Sequence, residues 1–337
     1  LQSNFREGAF HAREGGPRQV TQSMPLLPAS PANIARAAER LRAGEVVAFP
    51  TETVYGLGAD ATNGEAVAKI FAAKTRPKIN PLITHVPDAG TAHRHAIFSP
   101  VAEKLAAAFW PGPLTLVLPR KAESPVADLV TAGLETIALR VPRHPVAQAL
   151  LRACNVPLAA PSANRSGEPS PTDAAHVAES LGDEIMVLDG GAAIMGLEST
   201  IIGFDGSTPV LLRLGAIARQ EIEAITGPLA DAELDPARPR APGRMFRHYA
   251  PKKPVALNIT APLKTDAFLS FGPAPSGAHI VLPLSAAGRL EEAASNLFRL
   301  LRLADKSDAA RIAVAPIPSH GLGEAINDRL RRAANVT

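Results

Sequence analysis

At 337 residues the chain is long for one ordinary domain, so its length predicts two. A composition of 46% hydrophobic and 20% charged residues supplies sizeable cores, and 4% aromatics leaves those cores to Ala, Val, Leu and Ile. A net charge of +3 is compatible with a nucleotide or RNA partner without requiring one. The single cysteine excludes a disulfide framework or a cysteine-based zinc site within the chain, and no apolar stretch reaches the length of a membrane-spanning helix.

Residues 1–24 are polar, aperiodic and without an apolar signal core. They read as a mobile extension, with Met24 as the natural start and the cytoplasm as the expected location. In "SPANIARAAERLRA", Ile34, Ala37, Ala38 and Leu41 share a helical face, Ser30 caps the start and Gly44 the end. A buried strand, "EVVAFP", leads to "TETVYGLGADATN", read as a loop, and to a helix in "GEAVAKIFAAK". The "GLGADA" stretch matches a dinucleotide pattern, but the preceding strand ends near Phe49, too early for that fingerprint. Its glycines are therefore assigned to a sharp turn or a close approach.

The segment "KTRPKINPLITHV" follows. If it is extended, Lys74 and Arg76 project to one side, a point charge beside a planar fork, as phosphates require. Pro77 and Pro81 stiffen it; Lys78 reads as surface charge, and His85 alone reads as a satisfied core histidine. "FSPVAEKLAAAFWPG" is a helix and "PLTLVLP" a strand. In "ETIALRVP" Ile137, Leu139 and Val141 point one way, and Thr136, Ala138 and Arg140 the other. In "VLLRLG" Leu212 and Leu214 share a face opposed by Arg213. An arginine among apolar neighbours needs an anion, from within the protein or from a ligand. Cys154, in the helical run "HPVAQALLRACNVP", reads as core. The hydroxyls and amide of "PSANRSGEPSPT" serve a ligand or the turns equally well.

Residues 25–227 thus form an α+β domain whose sheet has one greasy and one polar face. Residues 228–253, rich in proline and charge, form the linker. Residues 254–337 form a small Rossmann-like α/β domain: "PVALNIT", "HIVLPL" and "RIAVAPIP" read as parallel strands, with a helix carrying Leu290, Ala293, Leu297, Leu300 and Leu301 on one face.

Together "FPTETVYGLGADA", "KTRPKINPLITHV", "FWPGPLTLVL", "ALRVPRHP", "APSANRSGEPSPT", "LESTIIGF", "LLRLGAI", "RHYAP" and "HGLGEAINDRLRRAA" resemble the threonylcarbamoyl-AMP synthases, in the form that joins a YrdC-like catalytic domain to a smaller C-terminal one. The resemblance implies a twisted mixed sheet with a concave basic cavity. It implies a reaction of L-threonine, bicarbonate or CO2, and ATP with Mg2+, giving threonylcarbamoyl-AMP and pyrophosphate. This is the first step toward N6-threonylcarbamoyladenosine at position 37 of tRNA, with tRNA or a downstream threonylcarbamoyl transferase complex as further partners. Carried over, it places Thr53, His85, Arg140, Ala160 and Ser199 around threonine. It places Lys74, Arg76, Asn80, Thr136, Ser162, Asn164, Ser170, Arg213 and Tyr249 around ATP, with Lys74 and Arg76 as catalytic cations. Thr75 stands where many members have Gly. The linker departs from the common Met-Lys-Tyr run, so no role is carried over to Arg244–Phe246. Two rival readings are a non-catalytic RNA- or nucleotide-binding protein, disfavoured by scarce aromatic platforms, and a carbamoyltransferase of the hydrogenase-maturation type, whose zinc fingers one cysteine cannot supply.

Overall fold

The computed structural model describes residues 26–232 and 248–335. The expectations for residues 1–24 and for Arg244–Phe246 lie outside these. An eleven-stranded mixed sheet runs in the order Leu26–Pro28, Met186–Asp189, Val47–Phe49, Gly56–Asp60, Leu158–Ala159, Ile83–His85, Thr136–Arg140, Leu114–Pro119, Thr200–Asp205, Thr208–Arg213, Ala230–Asp231. The helix Pro31–Arg42 starts where Ser30 Oγ accepts the Asn33 N–H at 3.3 Å. With the helix Pro145–Cys154 it covers one end of the sheet through Ala37, Leu41, Phe49, Leu150 and Leu158. Cys154 belongs to this core, and burial pushes its thiol up to about 12, as a packed rather than reactive cysteine requires.

The opposite face of the middle strands packs on the larger core, which takes Ile137, Leu139 and Val141, as the alternation predicts. The other face carries only a small apolar cluster, with Ile83, Val117, Ala138, Ile201, Val210 and Leu212. In the alternation of each strand His85 lies on the face of Ile83, and Arg140 on that of Ala138. Helices therefore cover one face throughout and one end of the other, leaving a polar hollow over the middle strands of that face.

Three local readings are corrected. Gly56–Asp60 is a strand, not a loop, antiparallel to Val47–Phe49. Its glycines are there for space: a Cβ on Gly58 would lie 2.7 Å from the Phe49 ring. Lys74 to Arg76 is not extended. The helix Gly64–Lys74 ends at Lys74, and Thr75 takes a left-handed φ of 51°, so the alternation of an extended strand does not relate Lys74 to Arg76. Leu212 and Leu214 do not share a face, because a bulge between Leu211 and Arg213 resets the alternation. Leu212 joins the small cluster, and Leu214 packs on the main cores.

The second sheet has four strands, all parallel, in the order Val255–Ala256, Arg311–Val314, Asp266–Phe271, Ile280–Ser285. Asp266–Phe271 is an inner strand that the sequence reading missed. Helix Leu290–Lys306 buries Ala293, Leu297, Leu300 and Leu301 as predicted, and a further helix, Leu322–Ala333, follows. The core here also takes Val54, Leu197 and Ala216 from the first domain. Close docking depends on Gly196, at φ 68°, where a Cβ would sit 2.5 Å from the Ala294 carbonyl oxygen.

Candidate functional site

Strand ends bring the site together. His85 and Arg140 close neighbouring parallel strands and lie directly opposite each other. Ser199 precedes Thr200–Asp205, and Arg213 ends the antiparallel partner strand, so both arrive from the other side. The Arg213 guanidinium donates from Nη2 to the Ser199 carbonyl at 2.9 Å and to its Oγ at 3.2 Å. Gly215 permits this approach, since a Cβ there would meet the Ser199 carbonyl carbon at 2.4 Å. The loop after Leu158–Ala159 is zipped to residues 55–57 by Leu57 N to Pro161 O and Ala163 N to Tyr55 O, both 2.8 Å.

Around an inner hollow of about 50 Å³ stand Thr53, Arg76, His85, Arg140, Ala160, Ser162, Ser199, Arg213 and Tyr249 among the residues named from sequence, with Thr51, Gly56, Glu198 and His248 among those not named. A wider hollow of about 430 Å³ is lined by Arg76, Asn80, Glu168 and His248, among others. Arg76 and His248 border both.

The cations differ in how they are matched. Arg140 and Glu52 form a buried ion pair at 2.6 Å, their side chains 4% and 3% exposed. The remaining Arg140 donors reach Thr53 Oγ1 at 2.9 Å and the Gly112 carbonyl at 3.2 Å, and the second Glu52 oxygen accepts the Arg143 N–H. The anion demanded by this arginine is thus internal, so its burial by itself does not require a ligand. Burial, the largest effect, would raise the Glu52 carboxyl, but the Arg140 charge together with the hydrogen bonds from Arg140 and the backbone outweighs it and holds the group below its ordinary value. Arg76 is half-buried. It donates to the Pro81 carbonyl at 3.1 Å, its Nε is sealed from solvent with no acceptor, and no carboxylate pairs with it among the described residues. Burial and the neighbouring Arg213 push it down to about 10, leaving it charged at neutral pH. His85 is pushed down to about 3 by burial and then by Arg140, so its ring is neutral and exchanges hydrogen bonds only.

Other named residues stand back from the hollows. Lys74 is buried and lines neither; its ammonium donates to the carbonyls of Ser162, at 2.5 Å, and Asn164. It therefore shapes the loop that presents Ser162. Burial, then Arg76, pushes it well below its ordinary value. Asn164 spends its amide on the Arg165 and Glu168 carbonyls. Ser170 donates to Glu198 Oε1 at 2.6 Å. Thr136, four residues before Arg140, lines neither hollow. Tyr249 is buried at a left-handed φ of 62°, its ring stacked 5.2 Å from Phe298, and Ala250 N–H donates to the Gly167 carbonyl. Glu52 and Glu198 were missed because a carboxylate in a cationic site is found only through its partner, and each partner lies far away in sequence.

The described residues contain no cluster of three or more metal-ligating side chains, and the acidic residue on the inner wall, Glu198, is already ion-paired. The residues present do not form a magnesium cage, and no chemical step is routed through one.

Comparison with known proteins agrees with this architecture. The Sua5, YciO and YrdC domain family, described as "Telomere recombination", matches residues 39–215, and the "Threonylcarbamoyl-AMP synthase, C-terminal domain" family matches residues 217–335. The threonylcarbamoyl-AMP synthase of Bacillus subtilis is 42% identical over 323 residues, covering 89% of this chain and 92% of that protein. That of Pyrococcus abyssi is 41% identical, covering 88% and 93%. The crystal structure of P. abyssi Sua5 complexed with L-threonine superposes with a TM-score of 0.83 at 39% identity, covering 90% of this chain and 95% of that one. The chain belongs to the threonylcarbamoyl-AMP synthase family, in its two-domain form.

Proposed function

We propose that the protein is a threonylcarbamoyl-AMP synthase, joining L-threonine, bicarbonate or CO2, and ATP into threonylcarbamoyl-AMP with release of pyrophosphate, to supply tRNA threonylcarbamoyladenosine formation. The observation that carries the reading is Arg76, a charged guanidinium with no carboxylate partner among the described residues, shared by two hollows and facing a floor of hydroxyls and a neutral histidine. Such a group favours an anionic ligand.

In the proposed reaction threonine occupies the floor between Thr53, His85, Arg140, Ala160 and Ser199. Its amine adds to CO2, forming the N–C bond of a carbamate and releasing a proton. A carbamate oxygen then attacks the α-phosphorus, the bond to the bridging oxygen of the β-phosphate breaks, and pyrophosphate leaves with that electron pair. Two anions must approach each other, so positioning and charge neutralisation are the catalytic demands. Arg76 and Arg213 meet the triphosphate, with Asn80 and Ser162 beside them. Lys74, Asn164 and Ser170 hold the walls from behind. Tyr249 covers the nucleotide side, and Thr136 stands at the far end of the Arg140 strand. Magnesium brought with ATP would supply further neutralisation of phosphate charge, without a side-chain cage among the described residues.

The test is pyrophosphate release that needs threonine, bicarbonate and ATP together. Arg76→Ala is expected to lower kcat/KM about ten- to a hundredfold, the worth of a charge-assisted contact. Release indifferent to threonine would favour a different activity on this fold, and unchanged release in Arg76→Ala would remove that residue from the site.

A further inference from the structure

The second domain sends one cation into the first. Arg329, on helix Leu322–Ala333, is 0% exposed. Its Nε donates to Glu198 Oε2 at 3.0 Å, its Nη2 to the Leu214 carbonyl at 2.7 Å and its Nη1 to Asp328 Oδ2 at 2.7 Å. The guanidinium carbon lies 5.2 Å from the centre of the Tyr249 ring. A single side chain therefore contacts a carboxylate of the inner hollow, the carbonyl of the residue after Arg213, and the tyrosine that borders the same hollow.

Glu198 is the reason this matters. It is the acidic residue lining the inner hollow, beside Arg76 and Arg213. A carboxylate left bare there would repel a triphosphate and draw the neighbouring guanidiniums to itself. Its two oxygens are instead taken by Arg329 and by the Ser170 hydroxyl. Burial alone would raise the carboxyl; Arg329, then Arg213, overcome that and hold it down at about 2, so it stays ionised and paired.

We propose that Arg329 is a positioning residue for the nucleotide side of the site: it neutralises Glu198 and supports Tyr249, leaving Arg76 directed at phosphate. The proposal rests on the function argued above and gives the second domain a role in it. A guanidinium suits the task because it satisfies Glu198, Leu214 and Asp328 at once while its face meets the Tyr249 ring, a geometry that lysine cannot reproduce.

The experiment uses the full chain and measures KM for ATP and for threonine in pyrophosphate release, with ATP binding by calorimetry. Arg329→Met keeps the length of the stem and removes the charge. It is expected to raise KM and Kd for ATP about tenfold or more while moving KM for threonine less than about threefold. Adding Glu198→Gln, which removes the orphaned charge, is expected to recover part of that loss. Lys306→Ala, which breaks the surface ion pair with Glu179 elsewhere between the domains, serves as a docking control. The proposal is overturned if Arg329→Met leaves ATP binding unchanged, if both substrates weaken equally, if Glu198→Gln brings no recovery, or if Lys306→Ala reproduces the loss. Should Arg329→Met not fold, Arg329→Gln and Arg329→Lys decide the matter. The neutral side chain is expected to weaken ATP binding more than the charged one, which keeps the charge beside Glu198 but loses the other contacts; equal affinities would reject the idea. A wild-type chain that binds ATP but never releases pyrophosphate would refute the proposed reaction, while calorimetry of these variants would still decide the role of Arg329.

Discussion

Both sheets bury charge, but they balance it differently. In the four-stranded sheet Asp266 is fully buried and receives the Arg311 fork at 2.7 and 3.0 Å from the neighbouring strand, one acid to one base. At the strand ends of the eleven-stranded sheet, Arg76, Arg140 and Arg213 border one hollow, with Glu52 bound to Arg140 and Glu198 bound to Arg329. Among the described residues the second domain's non-glycine left-handed residues are Asn258 and Asn335, which tolerate that region; elsewhere, Ala132 and Asn155 adopt it at helix ends away from the hollows, and Thr75 and Tyr249 adopt it beside them. Asp266 and Arg311 are matched within one sheet, whereas Arg76 borders the hollows with no carboxylate partner among the described residues, where a ligand would complete the balance.

Removing an apolar anchor from the second domain should break this contrast most strongly. Leu297→Ala, at a fully buried site, is expected to cost about 2–5 kcal/mol in urea unfolding while leaving KM for threonine nearly unchanged. If threonine affinity falls in step with stability, the two regions are not separable as described.

Acid sharpens the comparison. His85 is held at about 3, below its unfolded value of 6.5, so the unfolded chain binds more protons between those two pH values. The associated stability is fully present above pH 6.5 and is lost as pH falls toward 3. The described histidines of the second sheet's domain, His279 and His320, are exposed. Unfolding midpoints are therefore expected to drop from pH 7 to pH 5, and His85→Gln to flatten part of that drop, the buried His248, also held at about 3, carrying a further share. An equal drop in the variant would move the acid sensitivity elsewhere.

The smallest effect belongs to Thr75. A β-branched residue at φ 51° is strained, so Thr75→Gly is expected to stabilise the protein by up to about 1 kcal/mol, relief partly offset by the entropy of glycine. A loss of stability would show that the Thr75 side chain contributes more than its backbone costs.

These contrasts also explain what could be read in advance. Period-two alternation put Arg140 on a polar face because regular strands preserve it, whereas His85, read alone as a core histidine, shows its place only through its register with Arg140. The alternation failed at Leu212, where one inserted residue shifts the count, and at Gly56–Asp60, where glycines suggest a turn until the Phe49 ring is seen against them. Lys74 and Arg76 looked like a matched pair because their spacing does not reveal the left-handed residue between them. Glu198 and Arg329 were invisible as a pair: 131 positions separate them, and neither has a local pattern that names the other.

The Glu52–Arg140 pair has a consequence of its own. With that guanidinium already matched, the floor of the hollow is close to electrically neutral, as suits a zwitterionic amino acid, while the Arg76 side stays cationic. Added potassium chloride should therefore weaken the nucleotide far more than the amino acid, because mobile ions screen an unbalanced field and leave a desolvated, internally matched pair almost untouched. The two substrates would then respond to ionic strength with different slopes, a difference set by one buried glutamate.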